Sequence, residues 1–216
     1  MSGAKKIERR LLGLDEAGRG CVLGPLVVGA FCWEGGDQAA LRAAGADDSK
    51  AMSAGKREAA LARLGALGAG EVLEISPAEI DAGNINALEE DAFVAHILRF
   101  SPDVVYIDAP VNPRGIPAFS RRIAGRLEAA GQRPRLVIEP KADATWPVVG
   151  AASIFAKVKR DAAITALGEV GSGYPSDPVT RAWLAGFLAR GEAFPPSVRA
   201  RWGTIGNLRQ QGLFGA

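Results

Sequence analysis

The chain has 216 residues, 48% hydrophobic and 23% charged. That composition belongs to a folded globular protein and excludes bulk disorder, and at roughly 150 residues per domain the length provides for one domain with a small appendage. With 26 Lys+Arg against 24 Asp+Glu the net charge is only +2, which taken alone argues against nucleic acid as a partner.

No apolar run approaches the ~20 residues of a membrane span, so an integral membrane protein is not expected. Asp15 and Glu16 cut short the apolar stretch that follows the basic opening, which argues against a secretory leader. Cys21 and Cys32 are too few for a disulfide scaffold and lack metal-site spacing. They read as reduced thiols packed as small apolar residues, hence a cytoplasmic location.

Divided along the chain, the charge is uneven. Residues 1–110 carry 11 Lys+Arg and 17 Asp+Glu, whereas residues 111–216 carry 15 and 7. A basic half suits a polyanion, although basic residues on solvated helix faces give the same pattern.

In chain order, the first strand is expected at 10–15, entering the turn Glu16-Ala17-Gly18-Arg19-Gly20. A continuous apolar run predicts a buried strand at 26–33. Helical spacing covers 53–67 and a third strand 71–75. Ser76-Pro77-Ala78-Glu79 is a capping box with Pro at the first helical position. A helix over 86–100, capped by Asn86 with Glu89 three residues on, precedes the β-prone run at 104–108. A basic helix at 116–130, a fifth strand at 135–139 and a long helix at 149–167 follow. Two further helices are expected at 178–188 and 197–211. Two adjacent strands at the start imply antiparallel pairing, and the later alternation implies parallel crossovers. The fold class is therefore α/β with a mixed sheet and a helical C-terminal segment from about residue 171.

Four acids fall at strand ends: Asp15 and Glu16 end the first strand, Asp108 ends the fourth, and Asp143 follows the fifth. Residues past strand ends of an α/β sheet gather at one crevice. Clustered carboxylates repel unless a cation shares them, and oxygen ligands suit Mg²⁺ or Mn²⁺. For any single acid a turn former or helix cap is the more common role, with Asp15 the hardest to dismiss so, and spacing alone leaves a metal site open. Gly18-Arg19-Gly20 lets the backbone approach a ligand, or is simply a tight turn. It matches neither a Walker A loop nor the dinucleotide fingerprint. His96, the only histidine, reads as structural, which also disfavours a Ser-His-Asp hydrolase.

Leu14-Asp15-Glu16-Ala17-Gly18-Arg19-Gly20, followed by Gly24-Pro25-Leu26-Val27-Val28, closely resembles the opening signature of ribonuclease HII. The likeness continues at Asp48-Ser49-Lys50, Val105 to Pro110, Lys141-Ala142-Asp143, Ala151 to Asp161 and Gly171 to Pro178, in the family's order. The later blocks look more like its archaeal branch. The resemblance implies a ribonuclease H-like fold with a five-stranded sheet, as a catalytic domain over 1–170 and a helical substrate-binding extension over 171–216. It implies an endonuclease that cuts the RNA strand of RNA–DNA hybrids. It also implies incision 5′ of single ribonucleotides in duplex DNA, with two Mg²⁺ or Mn²⁺ ions. The family's metal-binding carboxylates fall on Asp15, Glu16, Asp108 and Asp143. Asp15 is expected to bridge both ions, with Glu16 and Asp108 on the leaving side and Asp143 on the water side. The backbone of Gly18, Arg19 and Gly20 falls where the family reads the ribose 2′-hydroxyl, and Tyr174 where it stacks on the next sugar. Lys50, Lys141, Lys157 and Lys159 are candidates to line the substrate path; Lys50 and Lys141, in matching motifs, are the better ones, and surface charge is the alternative for Lys157 and Lys159.

The sequence departs from the family at Thr145 and Trp146, where Lys and Tyr are common, at Gly150, where Ser is common, and at Ala51. A monomer is expected. The end, Gln210 to Ala216, is faintly similar to sliding-clamp-binding tails. Two rival readings are a relative confined to long hybrids and a non-catalytic nucleic-acid binder. The first is opposed by Tyr174 with the Gly-Arg-Gly turn, the second by the four acids.

Overall fold

Eight consecutive apolar residues predict a buried strand at Leu26–Trp33, and all eight are buried there. In the computed structural model, which describes residues 10–46 and 52–214, this strand is one of five. In chain order the elements are β1 (Leu11–Ala17), β2 (Leu26–Trp33), α1 (Ala39–Ala43), α2 (Ala54–Gly65), β3 (Ala69–Ile75), α3 (Pro77–Ala82), α4 (Ile85–Phe100) and β4 (Val104–Asp108). A 3₁₀ turn at Pro113–Gly115 leads into α5 (Ile116–Ala129), then β5 (Arg135–Glu139), α6 (Ala142–Thr145), α7 (Pro147–Thr165), α8 (Pro178–Arg190) and α9 (Gly203–Phe214).

The sheet order is β3-β2-β1-β4-β5. β1 and β2 pair antiparallel and β4 and β5 add in parallel, as expected, whereas β3, which the strand–helix alternation predicts to be parallel, pairs antiparallel with β2. Strand alternation divides the core between two faces. Leu12, Leu14, Val28, Val105 and Ile107 pack with Phe93 and Ile97 of α4 and with Phe119 and Ile123 of α5. Leu11, Phe31, Val104 and Tyr106 pack on the other face with α1, α2 and the start of α7. The long helix lies unusually close to the sheet. A Cβ on Gly13 would stand 2.0 Å from the Val148 carbonyl oxygen, and one on Gly29 would stand 2.3 Å from that of Ala152.

Three local expectations are corrected. The first strand runs two residues further, because its antiparallel partner continues the ladder through Asp15↔Gly29, Glu16↔Val28 and Ala17↔Val27. Glu16 and Ala17 therefore lie within the strand rather than in the turn after it. Asn84, not Asn86, caps α4: its side chain accepts from the Asn86 and Ala87 amides, which turns Glu89 inward instead of into a capping box. The last helix begins at Gly203, not 197, because Val198 pairs with Leu23 in an isolated bridge and draws the chain out of helical geometry. The short α1 and α6, each five residues or fewer, were not expected from periodicity. Elsewhere the capping box of Ser76 and Glu79 and the Asp177 cap before Pro178 form as read.

The C-terminal helices pack around a third cluster of Val22, Leu23, Ile164, Val170, Leu184, Val198, Ile205 and Leu208. They thus share a core with the loop that follows β1. His96 is buried and holds the Val28 carbonyl at 3.2 Å, in keeping with a structural role. Among the described residues, no helix is long and apolar enough to cross a membrane.

Candidate active site

Adjacent residues of a strand point to opposite faces. Asp15 follows Leu11 and Gly13 onto the α7 face, and Glu16 follows Leu12 and Leu14 onto the α4 face. Asp108, in step with Val104 and Tyr106, shares the face of Asp15 one residue past the last ladder pair, Leu14↔Ile107. Asp143 arrives from α6, whose first amide, on Ala142, donates to Asp108 Oδ1 at 3.1 Å. Ligand oxygens of Asp15, Asp108 and Asp143 consequently lie within 4.8 Å of one another. Glu16 is outside that trio but lines the same cleft of about 190 Å³, with Asp15, Asp108, Gly18, Arg19, Gly20, Lys157, Arg160 and Tyr174.

The environment is dry and acidic. Burial lifts the Asp15 carboxyl to about 6, opposed by Lys157 and a Ser153 hydrogen bond and reinforced by Asp108. Burial, then the charges of Asp15 and Glu89, hold Glu16 well above the usual carboxylate range. The buried Glu89 of α4 is raised to about 7 by burial, against the pull of Arg19. Glu16 Oε2 is buried without a hydrogen-bond partner. An all-oxygen donor set with an orphaned carboxylate oxygen fits a hard divalent cation, which would hold these acids ionised.

The turn after β1 is built for close approach. Gly18 sits at φ +86°, and a Cβ there would stand 2.7 Å from the Pro25 carbonyl oxygen. Arg19 folds back onto α4, with Nε 3.2 Å from Glu89 Oε2 and a second contact to Asn86 Oδ1. Tyr174 is 36% exposed at the cleft wall, and the Arg160 guanidinium lies 5.3 Å from its ring centroid. Arg160 also donates to the Ser172 carbonyl at 3.2 Å, which ties α7 to the loop bearing Tyr174.

The family model for Ribonuclease HII matches residues 12–205. Ribonuclease HII of Archaeoglobus fulgidus is 42% identical over 211 residues, covering 93% of this chain and 97% of the relative. The chain belongs to the ribonuclease HII family. Membership makes it a metal-dependent endonuclease that cleaves the RNA strand of RNA–DNA hybrids. The crystal structure of ribonuclease H2 from Pyrococcus horikoshii superposes with a TM-score of 0.82 at 38% identity, covering 95% of this chain and 99% of that one. The structure of the PCNA:RNase HII complex from Archaeoglobus fulgidus gives 0.81 at 42% identity, with 93% and 97% covered. The ribonuclease H-like fold and the archaeal likeness expected from the sequence both stand.

Of the residues the resemblance to ribonuclease HII singled out, Asp15, Glu16, Asp108, Gly18, Arg19, Gly20 and Tyr174 line one cleft, and Asp143 joins its acidic trio. Lys141 is exposed, in left-handed conformation at φ +58°, between β5 and α6. Lys50, with Asp48, Ser49 and Ala51, lies outside the described residues. Lys157 is no surface charge: its side chain is 15% exposed, and Nζ lies 3.7 Å from Asp15 Oδ2. Lys159 does sit at the surface, paired with Glu74. One signal separates the two lysines: Lys157 is four residues from Ser153 and shares its helix face, where it touches the Ser153 hydroxyl. Trp146 packs its ring 4.5 Å from that of Tyr106 and donates to Glu139. Gly150 is a spatial requirement, since a Cβ would stand 2.3 Å from the Ala46 carbonyl oxygen.

Proposed function

We propose that this enzyme incises duplex DNA on the 5′ side of single embedded ribonucleotides, besides cutting longer hybrids, and leaves a 5′-phosphate and a 3′-hydroxyl. The observation that carries the reading is one cleft lined by Asp15, Glu16 and Asp108, by the turn Gly18-Arg19-Gly20 and by Tyr174. A 2′-hydroxyl is what distinguishes RNA from DNA at a single position, so a backbone turn beside the acids can place the cut. Tyr174 stacks on the sugar that follows the ribonucleotide. Lys50 and Lys141 meet phosphates of the duplex.

Asp15, Glu16, Asp108 and Asp143 would hold two divalent ions, Mg²⁺ or Mn²⁺. Such a pair, when bound, supplies an activated water and a charge for the leaving oxygen. The residues do the rest. Arg160 and Tyr174 fix the substrate, and the burial of Asp15 away from water strengthens its electrostatic contacts. The basic second half of the chain meets phosphates while the acidic first half supplies three of the four ligands, so the small net charge is a cancellation between two roles.

The domain reading is a catalytic part over 1–170 and a substrate-binding extension over 171–216 that carries Tyr174. The biological setting is ribonucleotide removal during DNA repair and replication in the cytoplasm, consistent with two buried free cysteines. A sliding clamp is a further partner. Its support is the A. fulgidus relative captured with PCNA and the Gln210 to Ala216 segment of this chain.

The test is cleavage of a duplex carrying one ribonucleotide, with the cut mapped and Mg²⁺ and Mn²⁺ titrated. A metal-dependent cut 5′ of the ribonucleotide is expected. Cleavage restricted to long hybrids, or a cut elsewhere, overturns the reading.

A further inference from the structure

Arg199 is completely buried, the largest side chain to be so among the described residues. It comes from the segment between α8 and α9, about 180 residues after the turn it touches, yet its whole guanidinium is spent there. Nη2 donates to the Gly18 carbonyl at 2.8 Å, Nη1 to the Arg19 carbonyl at 3.1 Å and Nε to the Gly24 carbonyl at 3.1 Å. The Trp202 ring covers its face at 4.9 Å from the ring centroid. Its own backbone is fastened to the same loop: the Arg199 amide donates to Val22 at 2.9 Å, the Gly24 amide donates to Ser197 at 2.8 Å, and Leu23 bridges Val198.

A trans peptide carries its N–H opposite its C=O. The carbonyls of Gly18 and Arg19 both turn inward to Arg199, so the amides of the same two peptides, on Arg19 and Gly20, turn outward to the cleft that these residues line. The planar guanidinium reaches the three carbonyls from three separate nitrogens, a spread that the single ammonium nitrogen of lysine does not reproduce. Burying a cation against carbonyls alone is expensive, which makes it an odd choice for mere packing.

We propose that Arg199 is a positioning residue for specificity, a clamp through which the C-terminal segment orients the Arg19 and Gly20 amides toward the substrate's 2′-hydroxyl. The proposal rests on the reading that this turn meets the 2′-hydroxyl.

The experiment compares the full-length enzyme with Arg199→Lys on a single-ribonucleotide duplex and on its all-deoxy counterpart. Folding is checked by circular dichroism, and Mn²⁺ affinity is measured by electron paramagnetic resonance. A small misplacement near the chemistry costs up to ~100-fold. Folded Arg199→Lys should lose roughly 10- to 100-fold in kcat, with KM for the duplex and Mn²⁺ affinity unchanged. A folded variant with kcat within about twofold of wild type overturns the proposal, as does a parallel loss of Mn²⁺ affinity, which marks general support of the fold. If Arg199→Lys does not fold, Trp202→Leu, which strips the cover from the guanidinium, is judged by the same two criteria. Wild-type cleavage of the all-deoxy duplex at the same rate overturns instead the underlying reading of the 2′-hydroxyl, whatever the variants do.

Discussion

The ammonium of Lys157 lies 3.7 Å from the Asp15 carboxylate, inside the cleft that the acids share with the Gly-Arg-Gly turn. A positive charge at that distance favours the ionised form of Asp15 and at the same time repels a cation seated on it. Replacing it separates the two effects. Lys157→Met should bind Mn²⁺ roughly three- to tenfold more tightly and still cleave roughly tenfold more slowly, because the reacting phosphate loses a neighbouring charge. Metal titration followed by single-turnover cleavage checks both halves, and a variant with wild-type cleavage at saturating metal contradicts the second.

Asp15 gives a prediction with a definite sign. Its folded pKa, about 6, is above the ordinary carboxylate value, so the fold prefers the protonated acid. In metal-free protein its contribution to stability is fully present below the unfolded value near 4 and is lost as pH rises to about 6. Asp15→Asn should flatten thermal stability between pH 4 and 6 and raise Tm at neutral pH in chelator. Mg²⁺ or Mn²⁺ should raise the wild-type Tm, since a ligand of the folded state stabilises it, and should raise that of the variant little or not at all. Cleavage by the variant should be abolished while duplex binding survives. Full cleavage with Mg²⁺ present would falsify the ligand assignment.

Glycines give a matched pair. Gly13 lies under the α7 backbone, where an added Cβ has the Val148 carbonyl at 2.0 Å, whereas Gly125 sits mid-α5 with nothing within 4 Å. Gly13→Ala should cost about 3 kcal/mol or more, as overpacking does when backbone must move. Gly125→Ala should instead stabilise by about 0.5–1 kcal/mol, through helix propensity. Chemical denaturation of the two variants checks the contrast, and similar shifts would remove the close approach of α7 as its cause.

The same glycines show where the sequence stops being legible. The strands at Leu26–Trp33, Val104–Asp108 and Arg135–Glu139 are readable residue for residue, because continuous apolar runs bounded by turns have one solution. The acids were readable as a group through the family signature. Their division was not, because a strand that ends two residues later than expected places Asp15 with Asp108 and leaves Glu16 facing α4. Nothing in local spacing reports that ladder extension, which comes from β2. Arg199 was missed, and Lys157 was ranked below Lys50 and Lys141, for a related reason. Each acts through contacts more than 100 residues away, and a buried cation reads in sequence like any solvated one.

His96 carries the last prediction. Burial lowers its pKa below the usual histidine value, against a hydrogen bond to the Val28 carbonyl and the charge of Glu71. A carbonyl only accepts, so Nε2 donates and the ring is held neutral at pH 7. The unfolded chain takes up a proton as pH falls through about 6.5, while the folded chain resists until the pH is lower. Stability from this residue is therefore complete above pH 7 and declines from pH 6.5 downward. His96→Gln keeps a donor for Val28 without a titrating group, so its melting temperature should fall less than the wild type's between pH 7 and pH 5. Parallel pH profiles for the two proteins would show that the decline belongs to other groups.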